Sequence, residues 1–153
     1  MRIVVGADHR GYVLKNTLAE HLTSAGHEVI DVGTNSDSPV DYPDVAVDVA
    51  GQIRSGDAER GIFLCGSGVG ATIASNKIPG IRAGMCHDTY SAHQGVEHDD
   101  MNVLCIGSRI VGDDLAREVV DAFIGATLMD EERYQRRLAK VQALEEQREA
   151  VER

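Results

Sequence analysis

The chain has 153 residues, which fits one domain of ordinary size, residues 1–153, with a buried core. It carries 25 acidic and 15 basic side chains, and the formal net charge of −10 disfavours diffuse binding to nucleic acid or anionic lipid. No apolar run approaches the roughly 18 residues that cross a bilayer. Three cysteines without CxxC spacing argue against a disulfide framework or structural zinc. We therefore expect a soluble, cytoplasmic protein with reduced thiols.

Short β-branched runs alternate with segments of helical period along the chain, which is the pattern of repeated βαβ units. Such short apolar runs, bounded by Gly, Asp, Asn or Pro, are typical of buried parallel strands. The predicted strands cover residues 2–7, 27–32, 61–65, 81–86 and 102–106. The sequence therefore predicts an α/β fold with a five-stranded parallel sheet.

Between these runs, apolar side chains recur every fourth residue, as in helices with one buried face. Three such stripes precede a glycine, and they consist of Leu14, Leu18 and Leu22, of Val45, Val49 and Ile53, and of Leu115, Val119 and Phe123. A final helical stretch, about residues 131–150, carries a fourth stripe after the last strand, where no sheet is left to cover. We expect a partner subunit to cover this stripe, which is formed by Tyr134, Leu138, Val141 and Leu144.

The segments that directly follow the predicted strands carry most of the reactive side chains. In open α/β sheets, ligands bind outside the carboxyl ends of the strands, so chemistry is expected at these positions. The segments are residues 8–11 (Asp-His-Arg-Gly), 65–70 (Cys-Gly-Ser-Gly-Val-Gly), 87–88 (His-Asp) and 107–109 (Gly-Ser-Arg).

The glycine-rich segment 65–70 opens a short helix predicted over residues 71–76. Successive backbone N–H groups at such a turn can form a nest for an anion or an oxyanion. The segment is neither a dinucleotide fingerprint nor a P-loop, and Ser67 is not in a GxSxG elbow. A plain tight turn is the alternative interpretation.

Cys65 ends a predicted buried strand, where a cysteine is most often a small hydrophobic side chain. Its place directly before the glycine turn favours a thiolate instead, which could act as a base or as a nucleophile. Cys86 and Cys105 lack such neighbours and are predicted to lie in the core.

Two histidines and two arginines are further candidates. His9 directly follows a strand and His98 closely precedes one, so each could titrate at a cleft; a metal site is the weaker reading of their Asp/His surroundings. Arg133 and Arg137 are one turn apart on the final helix and could clamp a phosphate. Ion pairs with the neighbouring glutamates are the alternative for the arginines.

Motifs along nearly the whole chain together resemble one family, the type B ribose-5-phosphate isomerases and their relatives that isomerise galactose or allose 6-phosphate. The motifs are Gly6-x-Asp8-His9-x-Gly11, Asp41-Tyr42-Pro43-Asp44, Cys65-Gly66-Ser67-Gly68-Val69-Gly70, Asn76-Lys77, Gly80-Ile81-Arg82-Ala83, His98-Asp99-x-x-Asn102-Val103-Leu104, Gly107-Ser108-Arg109 and Arg133-x-x-x-Arg137. The resemblance implies a Rossmann-like three-layer sandwich with an extra C-terminal helix. It also implies a homodimer, sometimes paired into a tetramer, whose active sites draw on both subunits and need neither a metal nor a cofactor.

The resemblance further implies a role for each motif in the isomerisation of a phosphosugar. Cys65 would move the proton between C2 and C1, and His98 would help to open the furanose ring. Ser67 and Asp8 would assist at sugar hydroxyls, and Tyr42 would line the pocket. The amides assigned to the enediolate oxygens are those of Gly66, Ser67, Gly68, Val69 and Gly70, and the phosphate is assigned to His9, Arg109, Arg133 and Arg137.

Two positions depart from the family pattern, because Asp99 stands where the family often has Asn, and Tyr134 where many members have His. The first departure bears on which sugar Asp99 would help to bind. The leading hypothesis is a cofactor-free isomerase of ribose 5-phosphate. The alternatives are an isomerase of another four- to six-carbon phosphosugar, a nucleotide-sensing regulatory module, and a thiol hydrolase with Cys65 as nucleophile.

Overall fold

The computed structural model describes the backbone of residues 1–151 and the side chains of residues 1–147. Five parallel strands form one sheet in the order β2-β1-β3-β5-β4, which confirms the predicted parallel sheet. The strands are β1 (Arg2–Ala7), β2 (Glu28–Asp31), β3 (Arg60–Cys65), β4 (Ala83–Met85) and β5 (Val103–Gly107). The edge strands β2 and β4 are shorter than predicted, although single backbone hydrogen bonds from Val32 to Val5 and from Cys86 to Cys105 continue beyond them.

Helices cover both faces of the sheet and produce the predicted three layers. They are α1 (Tyr12–Ser24), α2 (Tyr42–Arg54), α3 (Val69–Ser75), α4 (Thr89–Asp99), α5 (Asp113–Gly125) and α6 (Glu132–Val151). Helices α1, α4 and α5 share one apolar core with the sheet, and α2 and α3 share the other. Because both faces are covered, consecutive side chains of a strand are buried on opposite faces of the sheet. Leu64, for example, lies in the first core and Cys65 in the second.

The apolar stripe of α5 lies differently from the prediction. Val119 and Phe123 are buried as expected, but Leu115 is 40% exposed. Ala116 and Val120 face the core in its place. The buried face is therefore centred one residue further along than the every-fourth-residue pattern indicated, because a 3.6-residue period drifts from a four-residue spacing.

The apolar stripe of α6 is only partly available to a partner. Tyr134 and Leu138 are buried within the same chain, where α6 packs against α4, so the expectation that the whole stripe lacks cover is wrong. Val141 and Leu144 remain 45% and 65% exposed. Nowhere in the part of the chain that the structure describes does a helix combine the length and apolarity needed to span a bilayer.

The strand order creates a cleft between β1 and β3. The chain runs from β1 outwards to β2 and then crosses to β3 on the other side of β1. The connections after β1 and β3 therefore diverge at the carboxyl edge of the sheet, which is where ligands bind in such folds. Asp8 follows β1, and its backbone N–H donates to the carbonyl of Leu64 at 3.1 Å, next to Cys65 at the end of β3.

Candidate active site

A cavity of about 400 Å³ opens at this cleft. Seven of the predicted site residues line it, namely Asp8, Tyr42, Cys65, Gly66, Ser67, Gly70 and Arg109. They come from the ends of β1 and β3, the start of α2, the β3–α3 turn and the segment after β5. The topology thus gathers residues that are up to 101 positions apart, as the numbers of Asp8 and Arg109 show.

Cys65 is 5% exposed and lines the cavity. The backbone N–H of Gly68 donates to its Sγ at 3.1 Å, a contact suited to a thiolate. Gly68 has a φ of +84°, and a Cβ there would lie 3.1 Å from the backbone nitrogen of Gly107. Only glycine therefore allows this turn to bring its amide to the sulfur.

The other two cysteines have a different environment. Burial, assisted by the nearby Asp88 carboxylate, raises the pKa of Cys86 to about 11. Burial raises the pKa of Cys105 to about 12. Both therefore stay protonated near neutral pH, and neither lines the cavity that holds Cys65.

The turn after Cys65 uses some of its own amides. Gly68 donates to Cys65 Sγ, and Val69 donates to Ser67 Oγ at 3.2 Å. Gly66, Ser67 and Gly70 line the cavity, whereas Gly68 and Val69 do not. Three of the five residues predicted to supply amides therefore line the cavity, and the assignment of the turn to an oxyanion stays a prediction.

Asp8 and His9 are held by backbone contacts. Asp8 is 6% exposed, and its Oδ1 accepts from the N–H groups of Arg10 at 2.8 Å and Gly11 at 3.2 Å. His9 Nδ1 accepts from the N–H of Val40 at 3.3 Å, which places the ring proton of the neutral imidazole on Nε2. The second oxygen of Asp8 is therefore the one left to bind a ligand.

Two arginines flank the turn, and one of them had no predicted role. A Cβ on Gly66 would lie 3.1 Å from Cδ of Arg10 and 4.0 Å from Cδ of Arg109, so both aliphatic stems pass this glycine. Ser108 fixes the backbones, because its Oγ donates to the carbonyl of Arg10 at 2.8 Å and its N–H to that of Cys65 at 2.9 Å. Arg10 could have been predicted as a site residue, because it lies in the segment that directly follows a predicted strand. Ile110 also lines the cavity, but nothing in the sequence indicated this.

The predicted residues of α4 and α6 lie at a second place, where these two helices meet. The rings of His98 and Tyr134 stack at 4.1 Å, and Gln94 Nε2 lies 2.7 Å from His98 Nδ1. Arg133 Nη2 donates to Tyr134 Oη at 2.7 Å, and its Nε pairs with Glu131 at 2.8 Å, which was the alternative interpretation. Tyr134, noted in the sequence as a departure, thus joins His98 to Arg133.

Arg137 and Asp99 are both exposed. Arg137 lies one helical turn beyond Arg133, and Asp99 lines another cavity of about 610 Å³ beside α6. None of His98, Asp99, Arg133 and Arg137 lines the cavity of Cys65. Within one chain, the structure therefore does not unite the predicted base with the predicted ring-opening histidine or with the arginine pair.

Comparison with known proteins identifies the family of the chain. The family model described as Ribose/Galactose Isomerase matches residues 3–141. The chain belongs to this family. It is 45% identical to ribose-5-phosphate isomerase B of Escherichia coli (strain K12) over 147 residues, which cover 96% of this chain and 98% of that protein. Ribose-5-phosphate isomerase B of Clostridium thermocellum has the same fold, with a TM-score of 0.93, 44% identity and coverage of 96% and 99%.

Membership of the ribose/galactose isomerase family makes the protein an aldose–ketose isomerase. Relatives differ in the sugar that they are named for. D-erythrulose-4-phosphate isomerase of Pectobacterium atrosepticum is 41% identical over 128 residues, which cover 82% of this chain and 84% of that protein. Among the residues that the structure describes, no group of three His, Cys, Asp or Glu side chains is arranged to hold a metal ion.

Gly70 lies against the ring of Tyr42, where the glycine turn meets α2, and a substitution can test the importance of this contact. A Cβ on Gly70 would lie 3.0 Å from Cζ of Tyr42, whose side chain is part-exposed at 40%. We expect Gly70→Ala to displace the tyrosine ring into the cavity and to raise the KM for substrate about tenfold, a cost of roughly 1.4 kcal/mol. Steady-state kinetics and thermal melting test this, and a lower melting temperature with an unchanged KM would contradict it. Gly51→Ala, where a Cβ meets no atom within 4 Å, is the matched control.

Proposed function

We propose that the protein interconverts ribose 5-phosphate and ribulose 5-phosphate without a cofactor, through an enediolate, with Cys65 as the base. The observation that carries the proposal is the place of the thiol. Cys65 lines a cavity together with Arg10 and Arg109, and its sulfur accepts the N–H of Gly68. A sulfur base beside an anion-binding wall suits proton transfer on a phosphorylated sugar.

In the open-chain aldose, the Cys65 thiolate takes the proton from C2, and the electron pair moves through C1 to the carbonyl oxygen. The resulting enediolate is stabilised by backbone N–H donors of the turn, whose residues Gly66, Ser67 and Gly70 line the cavity. The thiol then returns the proton to C1 while the hydroxyl proton on O2 passes to the oxyanion O1, so that C2 becomes the carbonyl carbon of the ketose. Asp8, through its second oxygen, and Ser67 bind sugar hydroxyls, and the Tyr42 ring forms a wall.

The phosphate meets Arg109 at this cavity, and we add Arg10 as a further contact. Ser108 joins the segments that carry both arginines, because its Oγ donates to the carbonyl of Arg10 and its N–H to that of Cys65, so the backbones of the two arginines are held together. Within the described side chains, neither arginine has a carboxylate within 4.0 Å. Two unneutralised cations in a chain of net charge −10 favour an anionic ligand at this point.

A second copy of the chain completes the site in this proposal. His98, Arg133 and Arg137 lie apart from the Cys65 cavity within one chain, and a homodimer would bring these residues of one copy to the cavity of the other. Val141 and Leu144 are exposed beside the second cavity, so an apolar surface is available for the contact. Pairing of two such dimers would give the tetramer that the family resemblance implies as the alternative.

The proposed role of Cys65 as a base favours a cellular compartment that keeps thiols reduced. Cys65, Cys86 and Cys105 are all free cysteines. A catalytic thiol has to stay reduced, which favours a reducing compartment such as the cytoplasm.

A substrate panel tests the proposed activity directly. The protein is incubated, without added metal, with aldose and ketose phosphates of four to six carbons, and products are followed to equilibrium. We expect ribose 5-phosphate to approach the same aldose/ketose ratio from either side. Irreversible product release would favour a thiol hydrolase, and a melting temperature raised by ATP or NAD, but not by ribose 5-phosphate, would favour a nucleotide sensor.

Another phosphosugar is the second candidate, and Asp99 is the residue on which it rests. Asp99 is exposed at the end of α4, so its carboxylate is hydrated and could accept two sugar hydroxyls where an amide accepts through one oxygen. We expect Asp99→Asn to change the kcat/KM ratio between ribose, allose and four-carbon phosphates at least threefold. Assays across pH with all three substrates test this. A moved pH profile with unchanged ratios would instead indicate that Asp99 acts on a titrating neighbour such as His98.

A further inference from the structure

Lys15 lies on the buried side of α1 and is 0% exposed, although it is not among the residues that line the Cys65 cavity. Its ammonium donates to both oxygens of Asp31 at 2.6 Å and to Oδ1 of Asn35 at 2.8 Å. An ammonium has three hydrogens, and these contacts use all of them. The whole hydrogen-bonding capacity of this buried ammonium is thus directed at the end of β2 and the start of the connection to α2.

The contacts of Lys15 join that connection to the segment that carries Asp8 and His9. The backbone N–H of Lys15 donates to the carbonyl of Gly11 at 2.9 Å, so Lys15 lies one helical turn after that segment. Asp31 Oδ1 also accepts the N–H of Gly33 at 2.8 Å. Gly33 and its successor in turn exchange backbone hydrogen bonds of 2.7 Å with Ala7, the last residue of β1.

The far end of the same connection reaches two residues of the candidate site. The N–H of Val40 is the donor to His9 Nδ1, and Tyr42 begins α2 two residues later, with its ring against Gly70. Residues 35–39 between these points are exposed. The connection is therefore anchored at one end by Lys15 and at the other by contacts to the site.

We propose that Lys15 is a positioning residue for the site: its buried ammonium holds the β2–α2 connection so that Val40 orients the His9 ring and Tyr42 lies against the glycine turn. The kinetic consequence rests on the proposed function, whereas the anchoring itself does not. A buried ion pair that only stabilises the fold is the competing explanation.

Hydrogen exchange tests the anchoring without any substrate. We expect Lys15→Met to speed exchange of the Val40 amide at least tenfold, and Asn35→Ala, a change at an exposed residue, to speed it about threefold. The matched control is Leu18→Ala, at a fully buried position three residues further along α1. This control should speed exchange of the Ile62 amide in the central strand and leave Val40 nearly unchanged.

Unchanged Val40 exchange in both test variants would overturn the proposal, as would an equal effect of Leu18→Ala on Val40. If Lys15→Met does not fold, Asn35→Ala still decides the question, because removal of the exposed Asn35 side chain leaves no gap in the core.

Kinetics then test the link to function. Both test variants should raise the KM for ribose 5-phosphate, about fivefold for Lys15→Met and about threefold for Asn35→Ala, with kcat within twofold of the parent. Their effects should not add in the double variant, because both act through one connection. Faster Val40 exchange with an unchanged KM would overturn the positioning role. A parent protein that does not turn over ribose 5-phosphate would refute the proposed function, while the exchange result would still decide the anchoring.

Discussion

The Cys65→Ala variant should lose isomerisation by about a thousandfold in kcat while it keeps the parent fold. A positioned general base contributes roughly 10² to 10⁴ in rate, and no other thiol lines this cavity. Alanine fits the strand end, since Cys65 is buried among small and β-branched side chains of the second core. Product formation from ribose 5-phosphate, followed at several enzyme concentrations, measures the loss, and circular dichroism checks the fold.

Cys86→Ala is the matched control for Cys65→Ala. Both cysteines are 5% exposed, so each substitution removes the same buried atom. Because burial raises the pKa of Cys86 to about 11, it has no thiolate to offer near neutral pH, and its loss should leave most of the activity. Near-normal turnover by Cys65→Ala, or equal losses in the two variants, would remove Cys65 from the role of base.

Arg133→Ala and Arg137→Ala should each lower kcat/KM for ribose 5-phosphate by about one to two decades, a loss of roughly 1.5 to 3 kcal/mol of charge-assisted hydrogen bonding. The kcat/KM for unphosphorylated ribose should be nearly the same in both variants as in the parent protein. Arg136→Ala is the control on the same helix, where Arg136 is exposed and lies 3.8 Å from Glu132. Equal losses on the phosphorylated and the free sugar would mean that the arginines stabilise structure only.

Mixing inactive variants tests whether the arginines act across a dimer. In a mixed dimer of Cys65→Ala with the double variant Arg133→Ala/Arg137→Ala, one site receives an intact cysteine from one copy and intact arginines from the other. Random pairing makes half of the dimers mixed, so co-expression should restore about a quarter of the parent activity. No recovery, with mixed dimers shown by mass spectrometry, would place base and arginines in the same chain and contradict the shared site.

Local sequence patterns predicted the fold and part of the candidate site. The alternation of β-branched runs and helical periods predicted the five strands, because burial of a parallel sheet on both faces demands continuous apolar runs. The positions directly after the strands predicted Asp8, Cys65 and Arg109 as neighbours, since a parallel sheet brings its carboxyl ends to one edge. Cys65 could be separated from Cys86 and Cys105 because its glycine neighbours are adjacent in the chain.

Only the tertiary structure decided which distant groups meet. Lys15 is a charged residue beside the leucine stripe of α1, and its burial makes sense only because Asp31, at the end of β2, and Asn35, in the connection that follows, bind its ammonium. Likewise, Tyr134 is covered by α4 and stacks on His98, a contact between helices that no periodicity encodes. The separation of His98 and Arg133 from the Cys65 cavity also arises at this level. The periodicity of apolar residues indicates which side chains are buried, but strand order and helix packing determine which groups bury them.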